Sequence, residues 1–130
     1  MSAWRRIALE TLPEFRGTIQ KAESPMALWV ELHLRFEDAF RTHNDDLVRR
    51  FFRYADWCID TAETQPTDAS TAAWCAFYED LPRVTGLAEQ LHRFLPRQRF
   101  LRLQDAFRYH TTDPEFTHFC NTYLANAKSV

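Results

Sequence analysis

Residues 29–59 read WVELHLRFEDAFRTHNDDLVRRFFRYADWCI, and this run decides the fold. In its first half Trp29, Leu32, His33, Phe36 and Phe40 recur at the three- and four-residue spacing that lines up one face of a helix. In its second half Val48, Phe51, Phe52, Ala55, Cys58 and Ile59 do the same, after the polar break Thr42-His43-Asn44. Val30 and Leu34 add a second apolar edge to the first helix, which predicts that this helix is central and covered on more than one side. The boundaries are equally legible. Ser24 followed by Pro25 gives an N-cap and a first-turn proline, so the helix runs from Pro25 to about Arg41. Asn44 caps the next one, with Asp45 and Asp46 in the first turn where the helix dipole favours anions.

Working outward, helical periodicity continues in both directions. A short helix is expected over Ala3–Leu12 and another from Pro13 to Ala22, with Phe15 and Ile19 four apart. Residues 63–68 form the one clear loop, too short to link domains. Ser70 or Thr71 should start a helix that puts Trp74, Phe77, Tyr78 and Leu81 on one face and stops at Pro82. Thr85 can cap a short helix bearing Leu87, Leu91, Phe94 and Leu95. Pro96 restarts the chain into a helix with Phe100, Leu103 and Phe107 on one side. Asp113-Pro114-Glu115 opens a last helix that uses Phe116, Phe119, Cys120 and Tyr123, and residues 126–130 are expected to fray. No stretch alternates with period two. The expected fold is all-α, a compact single-domain bundle of about five to seven helices over residues 1–130, with a short stacked helical-hairpin solenoid as the alternative.

Composition narrows the function classes. The chain has 16 basic and 18 acidic residues, a formal charge of −2, so net charge points to no polyelectrolyte partner. Only Gly17 and Gly86 occur, which argues against Gly-rich phosphate loops. Cys58, Cys75 and Cys120 are odd in number, widely spaced and set in apolar helical patterns, as buried free thiols of a reducing compartment are. The N-terminus lacks a signal-peptide apolar stretch and no segment approaches the ~20 apolar residues of a membrane span. A cytoplasmic protein without a membrane partner is expected.

Three kinds of chemistry remain to be weighed. Metal binding has two Glu-x-x-His matches, Glu89/His92 and Glu115/His118, the pairing that di-iron carboxylate bundles turn inward from two helices. At 100° per residue, however, both pairs fall off the apolar stripes of their helices, and Glu115 has a local role in a first turn. His33 and Glu37 are four apart on the central helix, and a core histidine satisfied by a hydrogen bond accounts for His33. Neither Cys-x-x-Cys, His-Glu-x-x-His nor Gly-x-Ser-x-Gly occurs, so no cofactor is expected and an enzyme is the lesser reading. Nucleic-acid binding has the segment from Arg83 to His110, with six arginines against Glu89 and Asp105, interleaved with aromatics. Its arginines straddle the core stripe, as side chains snorkelling round a packed helix do.

An interface fares best. Trp57 projects about 180° from the Val48/Ala55 stripe and shares that side with Arg50 and Arg53, with Tyr54 on its flank. Arg53 and Trp57 are spaced for a cation–π contact, and Trp with Arg dominates binding hot spots. The expected function is therefore a non-enzymatic interaction module, binding a protein partner or itself through Trp57, Arg53, Arg50 and Tyr54. The alternatives are a metal protein or enzyme using His33, Glu37, Glu89, His92, Glu115 and His118, and an RNA binder using the Arg/aromatic segment.

The strings Leu12-Pro13-Glu14-Phe15, Asn44-Asp45-Asp46-Leu47, Tyr54-Ala55-Asp56-Trp57 and Phe77-Tyr78-Glu79-Asp80-Leu81-Pro82 resemble a family of short uncharacterised bacterial all-helical proteins. More distantly the chain is similar to the small helical immunity-type proteins that accompany secreted toxins. The resemblance implies a helical fold and a bacterial origin; an immunity-like or accessory protein is the narrower form of the expected interaction module. The resemblance transfers no functional residue.

Overall fold

The structure, a computed structural model, describes residues 1–62 and 67–127, so 63–66 of the expected loop and the last three positions of the expected frayed end lie outside the described residues. Every regular element among the described residues is helical. The described residues form nine α-helices: α1 (Ala3–Thr11), α2 (Arg16–Lys21), α3 (Pro25–Arg41), α4 (Asp45–Asp60), α5 (Asp68–Ala76), α6 (Leu87–Gln90), α7 (Arg97–Arg102), α8 (Gln104–Tyr109) and α9 (Asp113–Ala127). Three 3-10 turns accompany them, at Pro13–Phe15, Tyr78–Arg83 and Leu91–Arg93. The all-α class follows the sequence. The count exceeds five to seven because several expected helices are broken by 3-10 turns or sharp bends. At Leu103 the backbone flattens to ψ 6°, and the bend lets the Phe100 and Phe107 rings stand 5.2 Å apart, whereas residues seven apart on a straight helix are separated by about 10 Å of rise.

By its contacts the chain divides into two compact units, Met1–Phe77 and Tyr78–Val130. In the first, α3 packs on α4 and α5, which also pack on each other, so the three share one core rather than stacking as successive hairpins. The predicted caps form. The Ser24 hydroxyl accepts from the Ala27 N–H, and the Asn44 side chain accepts from the Leu47 N–H, each cap contributing about 1 kcal/mol. The polar break between α3 and α4 is a Schellman turn. Asn44 N–H donates to the Ala39 carbonyl and His43 N–H to that of Phe40, with His43 held at φ 60°, a conformation usually left to glycine. At the centre of this unit the Trp29 ring lies between Tyr54 (5.3 Å) and Phe77 (4.8 Å), and Phe36 meets Phe51, Phe52 and Phe77 edge-on.

α5 starts earlier than the sequence suggests. Thr67 and Ser70 form a reciprocal capping box, so Ser70 is the third residue of the helix rather than its start. In the second unit Gly86, at φ 81°, opens α6 in place of the expected Thr85 cap. Its core is a stack of rings. Phe100 lies parallel to Tyr123 at 3.8 Å, Phe107 meets Phe119 at 5.1 Å, and the Tyr123 hydroxyl donates to the Leu95 carbonyl at 2.6 Å. No helix among the described residues is long and apolar enough to cross a membrane.

Candidate functional site

The four residues expected to form an interface on α4 do not make one exposed face. Tyr54 is fully buried, stacked on Trp29, and its hydroxyl donates to the Trp4 carbonyl at 2.9 Å. Burial pushes its phenol far above the ordinary value of 10. Trp57 is half-buried and lies parallel to Tyr54 at 6.2 Å. Arg53 is exposed, and among the described residues it makes no cation–π contact with Trp57. The reason is that α1 packs against α4, a neighbour that a helical wheel of α4 alone does not reveal.

Arg50 is a staple rather than a free hot-spot residue. Its guanidinium donates to both carboxylate oxygens of Glu14 at 2.5 and 2.6 Å, to Asp46 at 3.1 Å and to the Thr11 carbonyl at 3.2 Å. Its side chain is 20% exposed. It thereby satisfies the end of α1 and holds the Pro13–Phe15 turn on α4. The hydrogen bond from Arg50 holds the Glu14 carboxyl below its ordinary value of 4.5. A carboxylate depressed in the folded state stabilises above its unfolded value and loses that contribution as pH falls through its folded value. Arg50→Ala is therefore expected to cost about 1–2 kcal/mol near neutral pH. The gap from the parent should shrink below about pH 4, as urea unfolding at several pH values will show. A gap of constant size across that range would contradict the pairing.

The metal-ligand candidates are scattered. His33 Nε2 sits 2.7 Å from Glu37 Oε1, within their own helix, and its ring is 14% exposed beside Phe36 and Phe77. Its enclosed Nδ1 has no hydrogen-bond partner among the described residues, which satisfy this histidine at Nε2 alone. Glu89 is exposed and His92 half-buried. Glu115 caps α9: its carboxylate accepts the Thr112 N–H at 2.8 Å while the Thr112 hydroxyl accepts the Glu115 N–H at 3.3 Å. Those bonds hold its carboxyl below the ordinary value. No three His, Cys, Asp or Glu side chains among the described residues converge on a point where a metal could sit. Cys58 is buried and its thiol is pushed up to about 11 by that burial; Cys120 is also buried, and Cys75 half-buried.

Sequence spacing gave no hint of one grouping in the second unit. His110 Nε2 lies 3.5 Å from the buried Glu79 carboxylate, at a cleft of about 260 Å³ shared with Arg83, Glu115 and His118. Its charges are mixed, since Arg83 also faces Asp80 at 3.7 Å, and they select no ligand class. In the arginine-rich segment Arg108 lies over the Phe116 ring at 4.2 Å and faces Asp113 at 3.5 Å, and Arg93 lies over Phe94 at 5.1 Å. These guanidinium groups dress the protein's own aromatics.

The surface that stands out is on α3. Met26, Val30 and Leu34, at i, i+4 and i+8, are 39%, 54% and 57% exposed. They run along the side opposite the buried Leu28, Trp29, Leu32, Phe36 and Ala39. The second apolar edge that the sequence assigns to a covering neighbour is thus uncovered. Beside it, α2 and α3 enclose a cleft of about 410 Å³ lined by Thr18, Lys21, Ala22, Glu23, Ala27 and Glu31. No family model matches the chain, and no curated protein or solved structure matches it either.

Proposed function

We propose that the protein is a non-enzymatic interaction module whose contact surface is the outward face of α3. The observation that carries this reading is the ridge Met26, Val30, Leu34. Single exposed apolar residues are ordinary, but three in line along two turns of a helix, turned away from a well-packed core, keep apolar area in water at a cost. At roughly 25 cal/mol per Å², covering that area is the most direct source of binding free energy on this helix. Trp57, half-buried on Tyr54, has less area left to offer. An immunity-like or accessory role in a bacterium is the narrower form of the same proposal, the partner then being a toxin.

Replacing both residues in Val30→Asp/Leu34→Asp tests the reading. The double variant is expected to unfold within about 0.5 kcal/mol of the parent, because exposed positions contribute little to the fold. In an extract of its native cells the parent should migrate as a complex and the variant as the free chain. Leu32→Asp, two residues away on the buried side, should fail to fold. A double variant that unfolds like Leu32→Asp, or that migrates as the parent does, would contradict the proposal.

A further inference from the structure

We infer that the outward face of α3 takes a basic amphipathic helix of a partner protein, a step that rests on reading this face as the contact surface. α3 is 17 residues long, about 25 Å at 1.5 Å per residue, and its ridge from Met26 to Leu34 spans about 12 Å, enough to seat two turns of a second helix. Apolar side chains at helical spacing on the partner would pack beside Met26, Val30 and Leu34, the helix-in-groove mode of recognition.

The flanks specify the charge. Carboxylates border the ridge at Glu23, Glu31, Glu37 and Asp38, and exposed Arg35 stands one turn beyond Glu31, outside the cleft that Glu23 and Glu31 line. Glu37 is engaged by His33, and Arg41, the cation at the C-terminal end of this face, is tied to Asp38. Glu23 and Glu31 have no ion-pair partner among the described residues, and both line the cleft between α2 and α3. The small side chains of Ala22 and Ala27 line it too, as does Lys21. A lysine or arginine fits such a place with its methylenes over the two alanines and its cationic head at the two carboxylates.

The same charges disfavour other occupants. Two copies of the chain laid antiparallel with Val30 against Val30 would bring the two Glu31 carboxylates to one flank at nearly the same level, and like charges across an interface are repulsive. An anionic lipid surface or a nucleic-acid backbone meets the same carboxylate rim.

The test uses the full chain and two labelled peptides of about 18 residues. One carries leucines at i, i+3 and i+4 with lysine flanks, and its twin carries glutamate flanks. Fluorescence anisotropy at about 0.15 M salt reads binding, and sedimentation reads self-association. The lysine peptide is expected to bind saturably and about tenfold or more tighter than its twin. Glu23→Lys/Glu31→Lys should invert that order, and Leu34→Asp should abolish binding of both. Equal binding of the two peptides, binding unmoved by Leu34→Asp, or an unchanged order in the charge-reversed protein would each overturn the inference. Self-association lost in Leu34→Asp would also overturn it, while leaving the α3 face as the contact surface. If neither peptide binds and the chain stays monomeric, both the inference and the reading beneath it fail.

Discussion

Replacing Trp29 with alanine is expected to cost about 3–5 kcal/mol of stability. Trp29 is wholly buried, and its ring fills the space between Tyr54 on α4 and Phe77 just after α5. Two helices and the turn after α5 therefore lose contacts at once, and the cavity left behind cannot collapse easily, because Tyr54 is held by its bond to the Trp4 carbonyl. A domain has only about 5–15 kcal/mol to lose, so the variant should unfold at a markedly lower denaturant or thermal midpoint than the parent. Urea or thermal unfolding followed by circular dichroism measures it. A loss below about 1 kcal/mol would mean that the ring is not enclosed in solution.

The second large effect is expected at Tyr123, where two variants separate packing from hydrogen bonding. Tyr123→Ala removes a ring stacked at 3.8 Å on Phe100, inside the cluster that also holds Phe107 and Phe119, and should cost about 3–5 kcal/mol. Tyr123→Phe keeps the ring but strips the Leu95 carbonyl of the hydroxyl that donates to it at 2.6 Å. That buried acceptor is then left unsatisfied, at about 1–3 kcal/mol. Denaturant midpoints of the two variants and the parent give both numbers. A phenylalanine variant as stable as the parent would show that the hydroxyl bond adds nothing.

What the sequence made legible follows from where the determining physics is local. The caps at Ser24 and Asn44 and the boundaries of α3 and α4 are set by side chains within three residues of the helix end, and they formed as read. The breaks at Phe15 and Leu103 were not legible, because nothing local forbids a helix there; the bend at Leu103 is repaid by ring contacts with residues far along the chain. That Trp57, Arg53, Arg50 and Tyr54 share no single exposed face has the same kind of reason. A helical wheel gives the direction of a side chain but not whether another helix lies there. Tyr54 points where α1 packs, and Arg50 reaches Glu14, 36 residues earlier. Val30 and Leu34 point where none of the described residues covers them. The apolar spacing that marks a core edge and the spacing that marks a contact ridge are identical on paper.

The most direct test of the central claim, that the outward face of α3 is where this protein meets another protein, is a photoreactive residue placed at position 30 in living cells. Illumination is predicted to give one discrete covalent adduct, lost when Leu34→Asp is added, and no adduct from the same group at exposed Asp105 on α8. A ladder of weak adducts equal at both positions, or an adduct that survives Leu34→Asp, would contradict it.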